Sequence, residues 1–351
     1  MCSLRSAELD STIDRYRISP HMKAYDALQP TLRPYVTIGT PPNIRSSVVS
    51  TDENGFRVSY NGEAAVDSTT WHSERRRGLL VGSSVAFGVG ATSDRHTLAS
   101  LLAGPTGSSF LNLGVRGANS TQELISAIPF VRDAQIVVVV SGANNAVASL
   151  QSIGRNELFG PFFWEGAVDH LSRWSVNALV ELTYGGDRTW AVKAARRMKL
   201  VRGAAGSVAR LAASEAASRK IAYGREALVA AAERHSRDLA ILAAATRPAT
   251  RVVFAAQPFA DACARAATTE ERQLFELADQ ATGPRWQRVR GVLATAWDDY
   301  VERLREACAS VDVPFVNLGG VAFDGWCFAD RIHLTDRGHE LAAQAILKLL
   351  P

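Results

Sequence analysis

Cysteine is scarce in this chain: four among 351 residues, at Cys2, Cys263, Cys308 and Cys327, with no C-x-x-C pair. A chain of this length needs no disulfide framework, so buried free thiols are expected. No apolar run approaches the ~18 residues of a membrane span. The first ten residues are polar and charged with no apolar stretch behind them, so no secretory signal is visible and a cytoplasmic location is expected. The sequence also lacks H-E-x-x-H, an acidic cluster at ligand spacing and a P-loop. Gly88-Val89-Gly90 runs on as Ala-Thr-Ser, which fails the dinucleotide fingerprint. No metal and no cofactor are expected. The net charge is only +4, its arginines are scattered, and neither zinc-finger spacing nor an RNA-binding signature is present, so nucleic acid is not an expected partner.

What is present suits a globular protein. Hydrophobic residues make up 47% and charged residues 21%, enough apolar surface for one large domain with a small appendage. Residues 1–75 are irregular and punctuated by Pro20, Pro30, Pro34, Pro41 and Pro42. Val36–Ile38 and Phe56–Val58 read as short strands there, with a turn at Asn54-Gly55.

From Arg77 onward strands alternate with helices. The apolar runs Gly78–Val81, Phe110–Leu113, Gln135–Val140, Arg251–Ala255 and Pro314–Leu318 predict five buried strands. Helical patterns cover Thr97–Leu102, Ser120–Arg132 (Ser120 as N-cap, Glu123 three residues on), Trp286–Cys308 and Asp336–Leu350. This alternation predicts a three-layer α/β/α fold with a mostly parallel sheet of about five strands, whose ligands gather at the carboxyl ends of the strands. Between the third and fourth strands, about 151–248, lies a helical insertion. It begins with Phe159, Phe162, Phe163, Trp164 and Trp174 and then turns basic, with nine Lys or Arg against two acidic residues over Asp187–Ile221. A solvated helical face accounts for it. A lid meeting an anionic surface is the sharper reading.

Four loops follow strand ends. Gly82-Ser83-Ser84 places a hydroxyl on a sharp strand-to-loop turn. Asn112 to Ser120 holds Gly114 and Gly117, which let backbone approach a ligand. Ser141-Gly142-Ala143-Asn144-Asn145 offers a neutral amide donor. Asp330-Arg331-Ile332-His333 sets a carboxylate three residues before a histidine, the pairing that a hydroxyl nucleophile needs for its base. Of seven histidines, only His333 has an Asp three residues upstream within a polar loop before a terminal helix. His339 is expected on the surface of the last helix, and His96, His170 and His235 lack a matched acid.

In their order these loops resemble the SGNH (GDSL-type) hydrolase superfamily. Gly82 to Gly88 is similar to its nucleophile block, and Asn112 to Asn119 to its glycine block with Gly117 at the oxyanion position. Gly142 to Asn145 is similar to its G-x-N-D block and Asp330 to His333 to its D-x-x-H block. The likeness spans about 76–351, apart from the insertion. Ser83 and Asn145 depart from the aspartates usual there, and alignment to the block favours Ser84 over Ser83 as nucleophile.

The resemblance implies acyl transfer by Ser84, His333 and Asp330 through a serine ester, with Ser84, Gly117 and Asn144 forming the oxyanion hole. The substrate would be a small-molecule, sugar or lipid ester. An acyltransferase with an alcohol acceptor, a non-catalytic binding protein and a lipid-active enzyme docking on a membrane are the alternatives. Acyl chain, alcohol and oligomeric state have no signature in the sequence.

Overall fold

The computed structural model describes residues 14–33, 35–151, 158–161 and 224–350. The expected aromatics Phe162, Phe163, Trp164 and Trp174 and the basic stretch 187–221 lie outside these residues. Near the N-terminus come helix α1 (Met22–Ala27) and two antiparallel hairpins: β1 (Thr31–Arg33) with β2 (Thr37–Gly39), and β3 (Ser59–Asn61) with β4 (Ala64–Val66). Phe56–Val58 forms no strand of its own. Arg57 instead makes single bridges to Thr51 and to Asn112 of the main sheet.

The main body follows as β5 (Arg77–Gly82), α2 (Ser84–Phe87), α3 (Leu98–Thr106), β6 (Ser109–Gly114), α4 (Ser120–Ala127), β7 (Ile136–Ser141) and α5 (Ala143–Gln151). After the undescribed stretch come α6 (Gly224–Ala245), β8 (Arg251–Ala256), α7 (Thr269–Ser310), β9 (Phe315–Asn317) and α8 (Asp336–Leu347). The strands pair in the order β6-β5-β7-β8-β9, all parallel. This is the expected three-layer α/β/α architecture.

Side chains alternate between the two faces, as the period of a strand requires. Leu79, Val81, Leu111, Leu113, Val137, Val139 and Phe254 pack with α4, α5, α6 and α7. Leu80, Phe110, Val138, Val140 and Ala255 pack with α3 and α8 on the other face. With helices on both sides, the strands read as unbroken apolar runs, which made them visible in the sequence.

Several helix boundaries differ from expectation. The N-cap of α4 is Asn119, in a capping box with Gln122, and the helix stops at Ala127, just before Pro129, instead of reaching Arg132. Helix α7 starts at Thr269, far ahead of Trp286, under a second capping box of Thr268 and Glu271. Helix α8 ends at Leu347. His339 is not on the surface: it is fully buried on α8. It lies three, four and seven residues before Ala342, Ala343 and Ile346, so it shares their inward stripe. Burial, with a smaller repulsion from Arg57, pushes its imidazole down to about 3.

Candidate active site

Strand β6 crosses to the far side of β5, and the chain then returns to lay β7 on β5's other edge. The strand order therefore reverses between β5 and β7, the place where sheets of this kind bind ligands beyond the carboxyl ends of their strands. The loops after these two strands carry Ser84 and Asn144.

Gly82 makes the first turn possible. Its φ of +152° suits glycine, and a Cβ there would lie 2.1 Å from the Val140 carbonyl oxygen. The chain thus leaves β5 against β7 and enters the single turn of α2, with Ser84 as its first residue. That position leaves the Ser84 N–H without an intrahelical partner. Ser84 is largely buried, at 7% exposed.

The acid–histidine loop arrives from the opposite end of the sequence. Phe328 and Leu334 form a bridge, and Ala329 N–H donates to the His333 carbonyl at 2.8 Å, so 328–334 is a closed hairpin-like loop. Glu271, fully buried at the start of α7, holds its base by accepting Cys327 N–H at 2.9 Å and Phe328 N–H at 3.0 Å. Arg265 and the Thr268 N–H satisfy its other oxygen.

His333 Nε2 lies 2.8 Å from Ser84 Oγ, and His333 Nδ1 lies 2.7 Å from Asp330 Oδ2. The other Asp330 oxygen accepts the backbone N–H groups of Ile332 and His333, each at 2.9 Å. Burial pushes the Asp330 carboxyl up, but the His333 charge and these hydrogen bonds outweigh it and hold the group at about 2. An ionised carboxylate can only accept, so His333 carries its proton on Nδ1. That leaves the Nε2 lone pair facing the serine hydroxyl.

Ser83 is brought close but points elsewhere. Its Oγ accepts from Gln257 Nε2 at 2.9 Å, and it is fully buried. Gln257 Oε1 in turn accepts the Ala143 N–H at 3.0 Å. Gln257 thereby ties the turn after β5 to the start of α5, a link that sequence reasoning missed. Its only signal was a polar residue directly after the apolar strand β8.

Gly117 has a φ of +80° in the loop between β6 and α4, a left-handed conformation suited to glycine. Asn144 Nδ2 donates to the Ala118 carbonyl at 2.9 Å, which fixes its amide beside that loop and leaves its second N–H to spare. Asn145 cross-links α5 to α4: it accepts Ser120 N–H at 2.8 Å and donates to Ser120 Oγ at 2.7 Å. That bracing role needs an amide, with a donor and an acceptor, where an aspartate would offer acceptors alone. Phe159 is 67% exposed.

Cys263, Cys308 and Cys327 are free and buried, and burial pushes each thiol well above its ordinary range. Among the described residues, no helix is long and apolar enough to cross a membrane.

No protein-family model matches this chain, and no curated protein does. Solved structures similar in fold include an extracellular lipase from Streptomyces rimosus, at 14% identity and a TM-score of 0.45, covering 78% of this chain and 98% of the lipase. Another is phospholipase A1 from Streptomyces albidoflavus, at 13% identity and a TM-score of 0.41, with 78% and 98% covered. A carbohydrate acetylesterase from Sinorhizobium meliloti matches at 12% identity and a TM-score of 0.40, with 78% and 97% covered.

Proposed function

We propose that this protein is a serine hydrolase that cleaves a carboxylic ester through an acyl-enzyme. The observation that carries the reading is the unbroken line from Asp330 Oδ2 through His333 to Ser84 Oγ, with links of 2.7 and 2.8 Å. The hydroxyl and the acid–base pair come from opposite ends of the chain, and packing alone gives no reason for a partly buried histidine to bridge them.

In this mechanism Ser84 Oγ attacks the ester carbonyl while its proton passes to His333 Nε2. Asp330 stabilises the imidazolium that forms. His333 then returns the proton to the departing alcohol, leaving the acyl group on Ser84. A water enters, gives its proton to the same nitrogen and attacks the acyl carbon; His333 then returns that proton to Ser84 Oγ as the acid leaves. The negative charge on the tetrahedral carbon's oxygen would be met by the N–H groups of Ser84 and Gly117 and by the spare N–H of Asn144. Loss of one such donor costs about 2.7–4 kcal/mol of barrier. No step calls for a metal or cofactor.

The test is turnover of p-nitrophenyl esters from acetate to palmitate, and of acetylated sugars, by wild type and by Ser84→Ala. Release of acid by wild type and its loss in Ser84→Ala support the reading; equal turnover by both removes it. Adding alcohol acceptors to the same assay separates the acyltransferase alternative, which would yield acylated acceptor in place of free acid.

A further inference from the structure

Helix α2, on which Ser84 sits, has four residues, Ser84–Phe87. One turn of helix is not stable by itself. Its last carbonyls are held from outside, largely by the N-terminal segment. Asn112 Nδ2 donates to Ala86 O at 3.0 Å. Arg57 Nη1 donates to Phe87 O at 3.0 Å and to Gly88 O at 2.8 Å. The Tyr25 hydroxyl, itself accepting from Arg57 Nη1 at 2.9 Å, lies 2.9 Å from Gly88 O and 2.7 Å from Ala91 O.

Arg57 is wholly buried, an expensive place for a guanidinium. Every edge of it is engaged: Nε donates to Asp94 at 2.8 Å and Nη2 to the Val48 carbonyl at 2.7 Å. Its face lies over the Phe87 ring at 5.3 Å. An apolar side chain would fill that space at less cost if filling space were the task. The oxyanion loop is moored to the same segment, since Arg116, next to Gly117, donates to the carbonyls of Tyr25 (2.9 Å) and Leu28 (2.6 Å).

We propose that Arg57, seconded by Tyr25, is a positioning residue that sets the Ser84 hydroxyl at attack distance by gripping the C-terminal end of its one-turn helix. The residues around 14–60 are then part of the catalytic apparatus, although none of them touches the triad. This proposal rests on the hydrolase reading above.

The experiment titrates active serines to completion with a fluorophosphonate and then measures ester turnover per titrated serine. Wild type is compared with Arg57→Met, Arg57→Lys and Tyr25→Phe. A merely structural role lowers the number of titratable serines and the melting temperature but leaves turnover per serine intact. A positioning role lowers kcat per serine, by about tenfold or more in Arg57→Met, with KM within about twofold, because misplacement by a fraction of an ångström is costly to a nucleophile. Arg57→Lys should not rescue, since one ammonium cannot reach Asp94, Val48 and both helix carbonyls together. Tyr25→Phe deletes a single hydroxyl, should fall several-fold, and decides the matter if Arg57→Met does not fold. Turnover per serine within about twofold of wild type in the folded variants overturns the proposal. Wild type that takes no label at Ser84 overturns the hydrolase reading instead.

Discussion

Gln257 reaches from the end of β8 to donate to Ser83 Oγ at 2.9 Å, so one of the two adjacent serines is committed to a structural bond. Ser83→Ala should therefore retain ester turnover, whereas Ser84→Ala should not. Gln257→Ala strands both the Ser83 hydroxyl and the Ala143 N–H in a buried place, at a cost of roughly 1–3 kcal/mol. Urea unfolding of Gln257→Ala checks this. An unchanged midpoint would show that water replaces the amide without loss.

Glu123 is fully buried between α4 and β7, and its Oε1 has no hydrogen-bond partner. Burial pushes its carboxyl from 4.5 up to about 8; the Ser141 hydroxyl opposes this and Asp238 adds to it. The folded protein then holds this proton while the unfolded chain releases it. Stability from this group is complete below about pH 4.5 and is lost as pH rises through about 8. Glu123→Gln escapes that loss. Relative to wild type it should gain up to about 1.4 kcal/mol per pH unit across this window. Unfolding of both proteins at pH 5, 7 and 9 gives the difference, and a pH-independent difference would refute the assignment.

Asp330→Asn keeps the shape of the acid–histidine loop but offers His333 Nδ1 a different partner and removes the charge opposite the imidazolium. Loss of tautomer control in a Ser-His-Asp arrangement costs on the order of 10⁴-fold in kcat. Stopped assays with an activated ester at pH 7 should show that fall. A fall of less than about tenfold would mean that Asp330 is a loop staple and no more.

The sheet could be read from residues alone because its strands have a local signature, whereas the four loops are each ordinary and stood out only by an order that resembles a known family. A strand covered on both faces is an unbroken apolar run, and a turn such as Gly82-Ser83-Ser84 shows itself by composition. The burial of His339 was legible too, in its i, i+3, i+4, i+7 spacing with Ala342, Ala343 and Ile346, but a histidine on a terminal helix reads as polar surface. The α4 cap was off by one residue because Ser120/Glu123 and Asn119/Gln122 both fit a capping box. Arg57 and Gln257 had no such local mark, and Glu271 was marked only as half of a capping box with Thr268, not as the acceptor of Cys327 and Phe328 N–H. Each acts on backbone or side chains far away in sequence: Arg57 Nη1 meets Phe87 O thirty residues on, and Gln257 meets Ser83 across 174. Contacts of that range are set by the tertiary fold, and no local spacing encodes them.

The most direct measurement is the site of covalent modification. Wild type treated with a fluorophosphonate and digested for mass spectrometry should carry the adduct on Ser84, and His333→Ala should carry almost none under the same exposure. An adduct on Ser83 or elsewhere, or equal labelling of Ser84 without the imidazole, would contradict the account.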